Sequence, residues 1–134
     1  MTRREITKED VDALLRFLPL FERPGRTFAR WGEVEKNADG SISLPFPVYD
    51  EDVEEFFRVV GQRGWLDYGY KPAEAERMLW DAELVAGASL EQVRSMLTYC
   101  LRGERFGDGH WEALLKGGQL VALLRRLKAI REEM

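Results

Sequence analysis

One short segment, residues 98–111, concentrates the side chains of this chain that could do chemistry. It carries two arginines, two carboxylates, three glycines and the chain's single histidine, and its candidate site residues are Arg102, Glu104, Arg105, Asp108, His110 and Trp111. A pair of arginines can hold a phosphate or a carboxylate, and a neutral histidine can accept a proton or bind a metal. Because connectors inside domains are usually plain, we expect a site here.

Each charged residue of this segment also has a purely structural interpretation. Asp108 is placed to cap the following helix, and such a cap would keep it ionised and make it a poor general base. Glu104 can form a salt-bridge network with Arg102 and Arg105 that fixes the turn. His110 falls in the first turn of a helix, where the dipole disfavours its charged form, and it can simply be a hydrogen-bonded structural group.

The spacing of these residues matches no catalytic motif with a known mechanism. The chain has no second histidine for an H-E-x-x-H zinc site, no G-x-x-x-x-G-K phosphate loop and no G-x-S-x-G turn. Cys100 is the only cysteine, which excludes an internal disulfide and a multi-thiolate zinc site. It also lies on an apolar stripe, where its thiol would be unreactive and could not act as a nucleophile together with His110. The sequence therefore predicts no metal and no cofactor.

The chain has the length and composition of one globular domain over residues 1–134. Of its 134 residues, 45% are hydrophobic and 33% are charged, which is far from the composition of disordered chains. No apolar run approaches the roughly 20 residues that cross a bilayer, and the first residues form no apolar signal segment. We therefore expect a cytoplasmic protein without membrane contact.

The formal net charge of -4 conceals an uneven distribution. Between Arg94 and Arg131, eight basic residues face three acids, a local balance of +5, so the rest of the chain is acidic. The two parts can face each other within one fold or lie in solvent. The basic part can also be a surface for an anionic partner, although the acidic total charge argues against nucleic acid.

Apolar periodicity predicts about six helices. Capping patterns mark several of their starts, at Thr7 with Asp10, at Asp50, at Pro72 and at Ser89 with Gln92. Pro19 is expected to stop the first helix, Gly64 to end the second, and Gly117 with Gly118 to separate the last two. The third helix is expected to turn Ala75, Met78, Leu79, Ala82 and Val85 toward the core.

A small irregular or β-hairpin insertion is predicted near residues 28–48, where helical periodicity fails. Asp39-Gly40 is a turn signal, and Ile42, Leu44, Phe46 and Val48 alternate with other residues as a strand would. Pro45 and Pro47 remove ladder donors, so this strand must be short or at an edge, paired with the segment from Trp31 to Val34.

Aromatic residues cluster between the second and third predicted helices. Trp65, Tyr68 and Tyr70 can line a pocket or belong to the core and its covering. Phe106, within the 98–111 segment, is expected to pack into the core.

The run Arg102-Gly103-Glu104-Arg105-Phe106, followed by Asp108-Gly109-His110 and by residues 119–127, resembles a family of small bacterial and phage-associated proteins that is known only as a domain of unknown function. Pro47-Val48-Tyr49 leading into Glu51 resembles it too. Members of that family often carry Cys before the acidic residue of the D-G-H run, whereas this chain has Gly107. The departure argues against thiol or Cys/His metal chemistry, and the resemblance names no reaction.

Two functions of different classes follow. The first, which we favour, is a binding or regulatory module that uses the 98–111 segment and the basic C-terminal region to contact a partner protein or a small anion. The second is an enzyme for a phosphate- or carboxylate-containing substrate, with His110 as general base, Arg102 and Arg105 holding the anion, and Glu104 orienting one of these arginines. Convergence of these four side chains in one pocket would favour the enzyme.

Val121 and Ile130 widen the apolar face of the last helix, so we also expect a homodimer.

Overall fold

The computed structural model describes residues 5–32, 35–43, 47–62, 64–105 and 107–134. Its helices are α1 (Lys8–Leu15), α2 (Leu18–Phe21), α3 (Glu51–Gln62), α4 (Pro72–Leu79), α5 (Ala82–Ala86), α6 (Leu90–Gly103), α7 (His110–Lys116) and α8 (Gln119–Glu132). Its strands are β1 (Ala29–Trp31), β2 (Glu35–Lys36), β3 (Ile42–Ser43) and β4 (Pro47–Tyr49). The mainly α fold class is confirmed. None of these helices combines the length and the apolar character that crossing a membrane requires.

Two helices start at the predicted capping boxes. The Thr7 hydroxyl accepts from the Asp10 amide at 3.2 Å, and the Asp10 carboxylate accepts from the Thr7 amide at 3.0 Å. Ser89 and Gln92 repeat the arrangement at the start of α6, at 3.1 and 2.9 Å. Each box satisfies two amides that the helix itself leaves without partners, so these helix starts are fixed by local sequence.

Two predicted helix boundaries are wrong. Pro19 does not stop helical structure but lies in the first turn of α2, where a missing amide hydrogen costs nothing. The helix predicted from Pro72 onward breaks after Leu79, because the Asp81 side chain accepts from two following amides and starts α5. This break leaves Ala82 exposed, although periodicity had assigned it to the core.

The predicted hairpin insertion is present as two short antiparallel pairs. Ala29 pairs with Tyr49 and Trp31 with Pro47 in the first, and β2 pairs with β3 in the second. The register buries Tyr49 against the helices and leaves Val48 exposed. Val34, Leu44, Pro45 and Phe46, which were also assigned to strands, lie outside the described residues.

The buried apolar side chains form one cluster to which all the longer helices contribute. Trp65 and Cys100 are completely buried in it, and burial raises the pKa of the Cys100 thiol well above its usual value. The leucines of α8 are equally buried, while Val121 and Ile130 pack in part against the same core. The homodimer therefore stays a prediction, which sedimentation equilibrium at tens of micromolar would test.

Ion pairs connect the acidic and basic parts of the chain. An Arg125 guanidinium nitrogen lies 3.0 Å from the Glu22 carboxylate, and Nε of Arg131 lies 2.9 Å from Oδ1 of Asp12. Both pairs join α8 to the N-terminal region. Two of the basic charges near the C-terminus are therefore compensated within the fold.

Candidate functional site

Glu104, directly after α6, receives three hydrogen bonds on its carboxylate. Its Oε1 accepts from the Tyr49 hydroxyl and from the Trp111 amide, both at 2.9 Å, and its Oε2 accepts from the Gly109 amide at 2.9 Å. The two amides belong to the first turn of α7, where the backbone leaves N–H groups without helical partners. Glu104 thus caps α7 from outside that helix, at the end where the helix dipole favours negative charge.

Two structural predictions for the 98–111 segment are wrong. Asp108 does not cap α7, because Gly109 occupies the capping position with φ of +89° and the Asp108 side chain is exposed. Glu104 does not pair with Arg102 or Arg105; it is committed to the amides of α7, and among the described residues neither arginine has a carboxylate within 4.0 Å. Fixed backbone donors hold the carboxylate at less entropic cost than flexible arginines would.

Tyr49 connects the hairpin to this cap. Besides donating to Glu104, its hydroxyl oxygen accepts from the Glu112 amide at 3.3 Å, and its ring centroid lies 5.1 Å from that of Trp111. Burial, followed by the bond to Glu104, raises the pKa of Tyr49 far above its ordinary range. The Tyr49 phenol is therefore neutral and available as a donor at every physiological pH.

Trp31 provides a second connection between the hairpin and α7. Its indole N–H donates to Oε1 of Glu112 at 3.0 Å. A methyl group added at Gly109 would come within 2.9 Å of the Trp31 ring, so the close approach and the positive φ both require glycine there. The start of α7 is thus held by Glu104 on one side and by the hairpin on the other.

His110 lies behind this cap rather than in an open pocket. Its ring packs against the backbone of Gly103 and meets Tyr99 edge to face, with centroids 5.2 Å apart. Nε2 is buried and has no hydrogen-bond partner among the described residues. Burial lowers the pKa of His110, against the opposing effect of the Glu104 and Glu76 carboxylates. The imidazole is consequently neutral near pH 7.

Two adjoining depressions open beside the 98–111 segment, and together we call them the aromatic groove. The first, of about 410 Å³, is lined by Leu66, Tyr68, Leu101, Arg102, Glu104, Arg105 and Trp111. The second, of about 490 Å³, is lined by Tyr68, Tyr70, Pro72, Tyr99, Arg102 and Gly103. Tyr68 and Arg102 line both depressions and therefore lie between them, and we call this pair of residues the ridge.

The side chains that line the groove differ in how many contacts hold them and in how exposed they are. The Arg102 guanidinium lies over two rings, 5.9 Å from the centroid of Tyr68 and 5.7 Å from that of Tyr70. Trp111 is held in place by two contacts. Its ring stacks on that of Phe57 with the centroids 4.1 Å apart, and its indole N–H donates to the Cys100 carbonyl at 3.0 Å. Tyr68, by contrast, is 76% exposed. The groove therefore has a fixed aromatic wall and an accessible aromatic edge.

The six sequence-predicted site residues divide into two sets. Four of them line the first depression, namely Arg102, Glu104, Arg105 and Trp111, whereas Asp108 and His110 line neither depression. Phe106 lies outside the described residues. The pocket interpretation of the aromatic cluster fits Tyr68 and Tyr70, while Trp65 is core.

Sequence reasoning missed Tyr49 and Trp31 as partners of this segment, because they are more than fifty residues away along the chain. Within the described part of the chain, no three His, Cys, Asp or Glu side chains are grouped as a metal ion would need.

Comparison with known proteins places the chain in a family but gives it no activity. No curated protein and no solved structure matches the chain significantly. One family model matches residues 6–133, which is almost the whole of the 134 residues and includes the cap, the hairpin and the groove. The chain belongs to this family of unknown function, DUF6508.

Proposed function

We propose that this protein is a binding module that holds an anionic segment of a partner protein in the aromatic groove. One observation carries the proposal: Arg102 and Arg105 line the groove without a carboxylate partner among the described residues, while Glu104, the one acid of the lining, is occupied by three donors. Two available guanidinium groups beside a satisfied carboxylate make the groove a receptor for negative charge.

The position of Arg102 supports recognition by geometry as well as charge. Its guanidinium lies over the rings of Tyr68 and Tyr70, an arrangement that holds the planar group in place while its in-plane N–H donors stay available. A carboxylate can take two such donors at once. The adjacent aromatic rings supply the apolar contact area from which protein interfaces gain most of their affinity.

The same geometry favours binding over the enzyme hypothesis. That hypothesis required His110 and the two arginines in one pocket, with Glu104 orienting an arginine. His110 instead packs behind Gly103, and Glu104 accepts from Tyr49 and from the amides of α7. The groove has the means to hold an anion, but the histidine that would act on it faces elsewhere.

A depression between α1 and α3, of about 550 Å³, is larger than either part of the aromatic groove, but its arginines are already paired. Arg16 and Arg58 both contact the Glu55 carboxylate there. Its lining carries two arginines and four acids, so this depression is net acidic and would repel an anionic segment, in contrast to the aromatic groove.

A peptide array tests the proposal. Random dodecapeptides of varied net charge are probed with the labelled protein and with the double variant Arg102→Glu/Arg105→Glu. Lys128→Glu is the matched control, because Lys128 is exposed on α8 and lines neither depression. We expect wild-type signal to concentrate on acidic peptides, to disappear in the double variant and to persist in the control. Identical patterns for wild type and the double variant would refute the proposal.

A further inference from the structure

We infer that the segment bound in the aromatic groove is a proline-rich peptide in the polyproline II conformation, with acidic residues next to its prolines. This inference rests on the proposed function and specifies its ligand. It is carried by three features of the groove: its unpartnered hydroxyls, its division into two depressions, and the position of its charges.

The first feature is the set of tyrosine hydroxyls. Tyr68, Tyr70 and Tyr99 all line the groove, and none of their hydroxyls hydrogen-bonds to another described residue. The hydroxyl of Tyr49, in contrast, is bound on both sides. A polyproline II chain makes no internal hydrogen bonds, so its carbonyls point outward and need donors. Aromatic grooves with free donors are the usual receptors of such chains.

The second feature is shape. Tyr68 and Arg102 form a ridge that separates two depressions of similar size, and the far depression is walled by Pro72 and Tyr99. A polyproline II helix has three residues per turn and therefore repeats its side chains along one face. Successive turns of such a helix can place one apolar side chain on each side of the ridge. Because proline is already ordered in this conformation, little entropy is lost on binding.

The third feature is the placement of charge. Arg102 lies at the ridge and Arg105 lines only the first depression, so the cationic end of the groove is the end that carries Trp111. An acidic residue beside the prolines would be held there, which fixes the direction of the peptide. A basic residue at the same position would be repelled.

Arginines among aromatic rings can also bind single-stranded nucleic acid by stacking. Such binding needs a positive path along the backbone, whereas this chain has a net charge of -4. Two arginines of α8, Arg125 and Arg131, are moreover paired with Glu22 and Asp12. The charge distribution thus suits a short anionic contact better than a polyanion.

Fluorescence anisotropy with labelled probes tests the inference on the full chain. The probes are a decamer of prolines and leucines ending in two glutamates, the same decamer with glycine for proline, the same decamer ending in two arginines, and a ten-nucleotide single-stranded DNA. We expect the acidic proline peptide to bind at least about tenfold more tightly than each of the other three.

Two pairs of variants locate the binding. Tyr68→Phe keeps the ring but removes the hydroxyl, and we expect it to weaken the acidic proline peptide several-fold. Trp80→Phe is its control, since Trp80 is another exposed aromatic residue and lies outside the groove. Arg105→Glu should abolish binding while Lys128→Glu leaves it unchanged. Thermal melts of all four variants establish that they fold.

The outcomes separate the two proposals. Equal binding of the proline and glycine peptides would overturn the polyproline inference and leave anionic binding intact. Preference for the DNA over every peptide would overturn the inference in favour of nucleic acid. No binding of any probe, together with an array indifferent to Arg102 and Arg105, would overturn both. Full retention of affinity in Tyr68→Phe would remove the hydroxyl argument and the inference with it.

Discussion

The Tyr49 hydroxyl donates to Oε1 of Glu104 over 2.9 Å and thereby joins the hairpin to the segment that borders the groove. Each partner also binds the first turn of α7, Glu104 through the amides of Gly109 and Trp111 and Tyr49 through the amide of Glu112. Three parts of the chain therefore share one hydrogen-bonded cluster. Its loss would therefore weaken the attachment of the hairpin, the end of α6 and the start of α7 at the same time.

Glu104→Gln should lower the free energy of unfolding by about 1–2 kcal/mol, since charge-assisted bonds exceed neutral ones by roughly this amount. The side chain of the introduced glutamine has only one accepting oxygen, and its NH₂ group would face hydrogen-bond donors that need an acceptor. Denaturant unfolding measures the change. Glu133→Gln, at the exposed end of α8, is the control and should be neutral. A neutral Glu104→Gln would mean that the negative charge of the cap contributes nothing to stability.

Tyr49→Phe removes the shared hydroxyl and permits a double-mutant cycle with Glu104→Gln. We expect the two effects to be non-additive by about 1 kcal/mol, because the side chains interact directly. The measurement is again the free energy of unfolding of the two single variants and the double variant. Strict additivity would show that the bond between Tyr49 and Glu104 has no energetic weight.

Gly103→Ala should destabilise the fold because the new methyl group would collide with the His110 ring. We expect the free energy of unfolding to fall by about 1–3 kcal/mol, the usual cost of overpacking. Gly61→Ala is the matched control: it is also helical, but its methyl group would meet Leu101 at 3.8 Å, an ordinary contact. It should be neutral or raise stability by up to about 1 kcal/mol. Equal effects of the two substitutions would contradict the packing of His110 on Gly103.

His110 is the chain's one histidine, so its imidazole proton resonance can be assigned without ambiguity. Because burial lowers its pKa, the titration midpoint should fall below the ordinary value of 6.5. A midpoint at or above 6.5 would place the ring in solvent or beside a dominant carboxylate.

The lowered pKa of His110 also predicts how stability depends on pH. When the pKa of a histidine is lower in the folded than in the unfolded protein, its contribution to stability is complete above the unfolded pKa, here 6.5. That contribution is lost as the pH falls from the unfolded pKa toward the folded pKa, because only the unfolded chain then binds the proton. Wild-type protein should therefore lose more stability between pH 7.5 and pH 5.5 than His110→Gln, which cannot titrate. Melting temperatures at both pH values provide the comparison. The same loss in both proteins would assign the pH effect to other groups.

Duplex DNA should not bind appreciably at near-physiological salt, because Arg125 and Arg131 already contact carboxylates and Arg126 donates to the Ala88 carbonyl. Electrophoretic mobility shifts at several salt concentrations test this. Micromolar affinity with a steep salt slope of about 0.9 per phosphate contact, lost in Arg125→Glu/Arg126→Glu, would contradict it.

The helix caps show how far local sequence determines this fold. Thr7 and Ser89 cap helices through partners three residues away, so their patterns were readable in advance. Asp108 stands where a local cap would be expected, yet Glu104 fills that role from before the turn. The choice depends on the left-handed conformation of Gly109 and on Trp31 beside it, and neither is visible without tertiary contacts.

Sequence reasoning singled out only some of the residues that line the groove, and it did not predict their arrangement. Arg102, Arg105 and Trp111 were identified from the density of charged and aromatic residues in one segment. Whether they would face Tyr68 or the core depends on how α6 packs, and a sequence does not determine this orientation. His110 and Asp108 belong to the same segment but line neither depression: the His110 ring packs on Gly103, and the Asp108 side chain is exposed to solvent.

Cys100 lies fully enclosed in the core and has a thiol that resists ionisation. A maleimide or disulfide reagent needs a solvent-accessible thiolate, so modification must wait until the helices around Cys100 separate. With one cysteine in the chain, each labelled molecule records one such opening. Labelling rates of the unmodified sequence therefore report directly on how often its core opens, without any introduced probe.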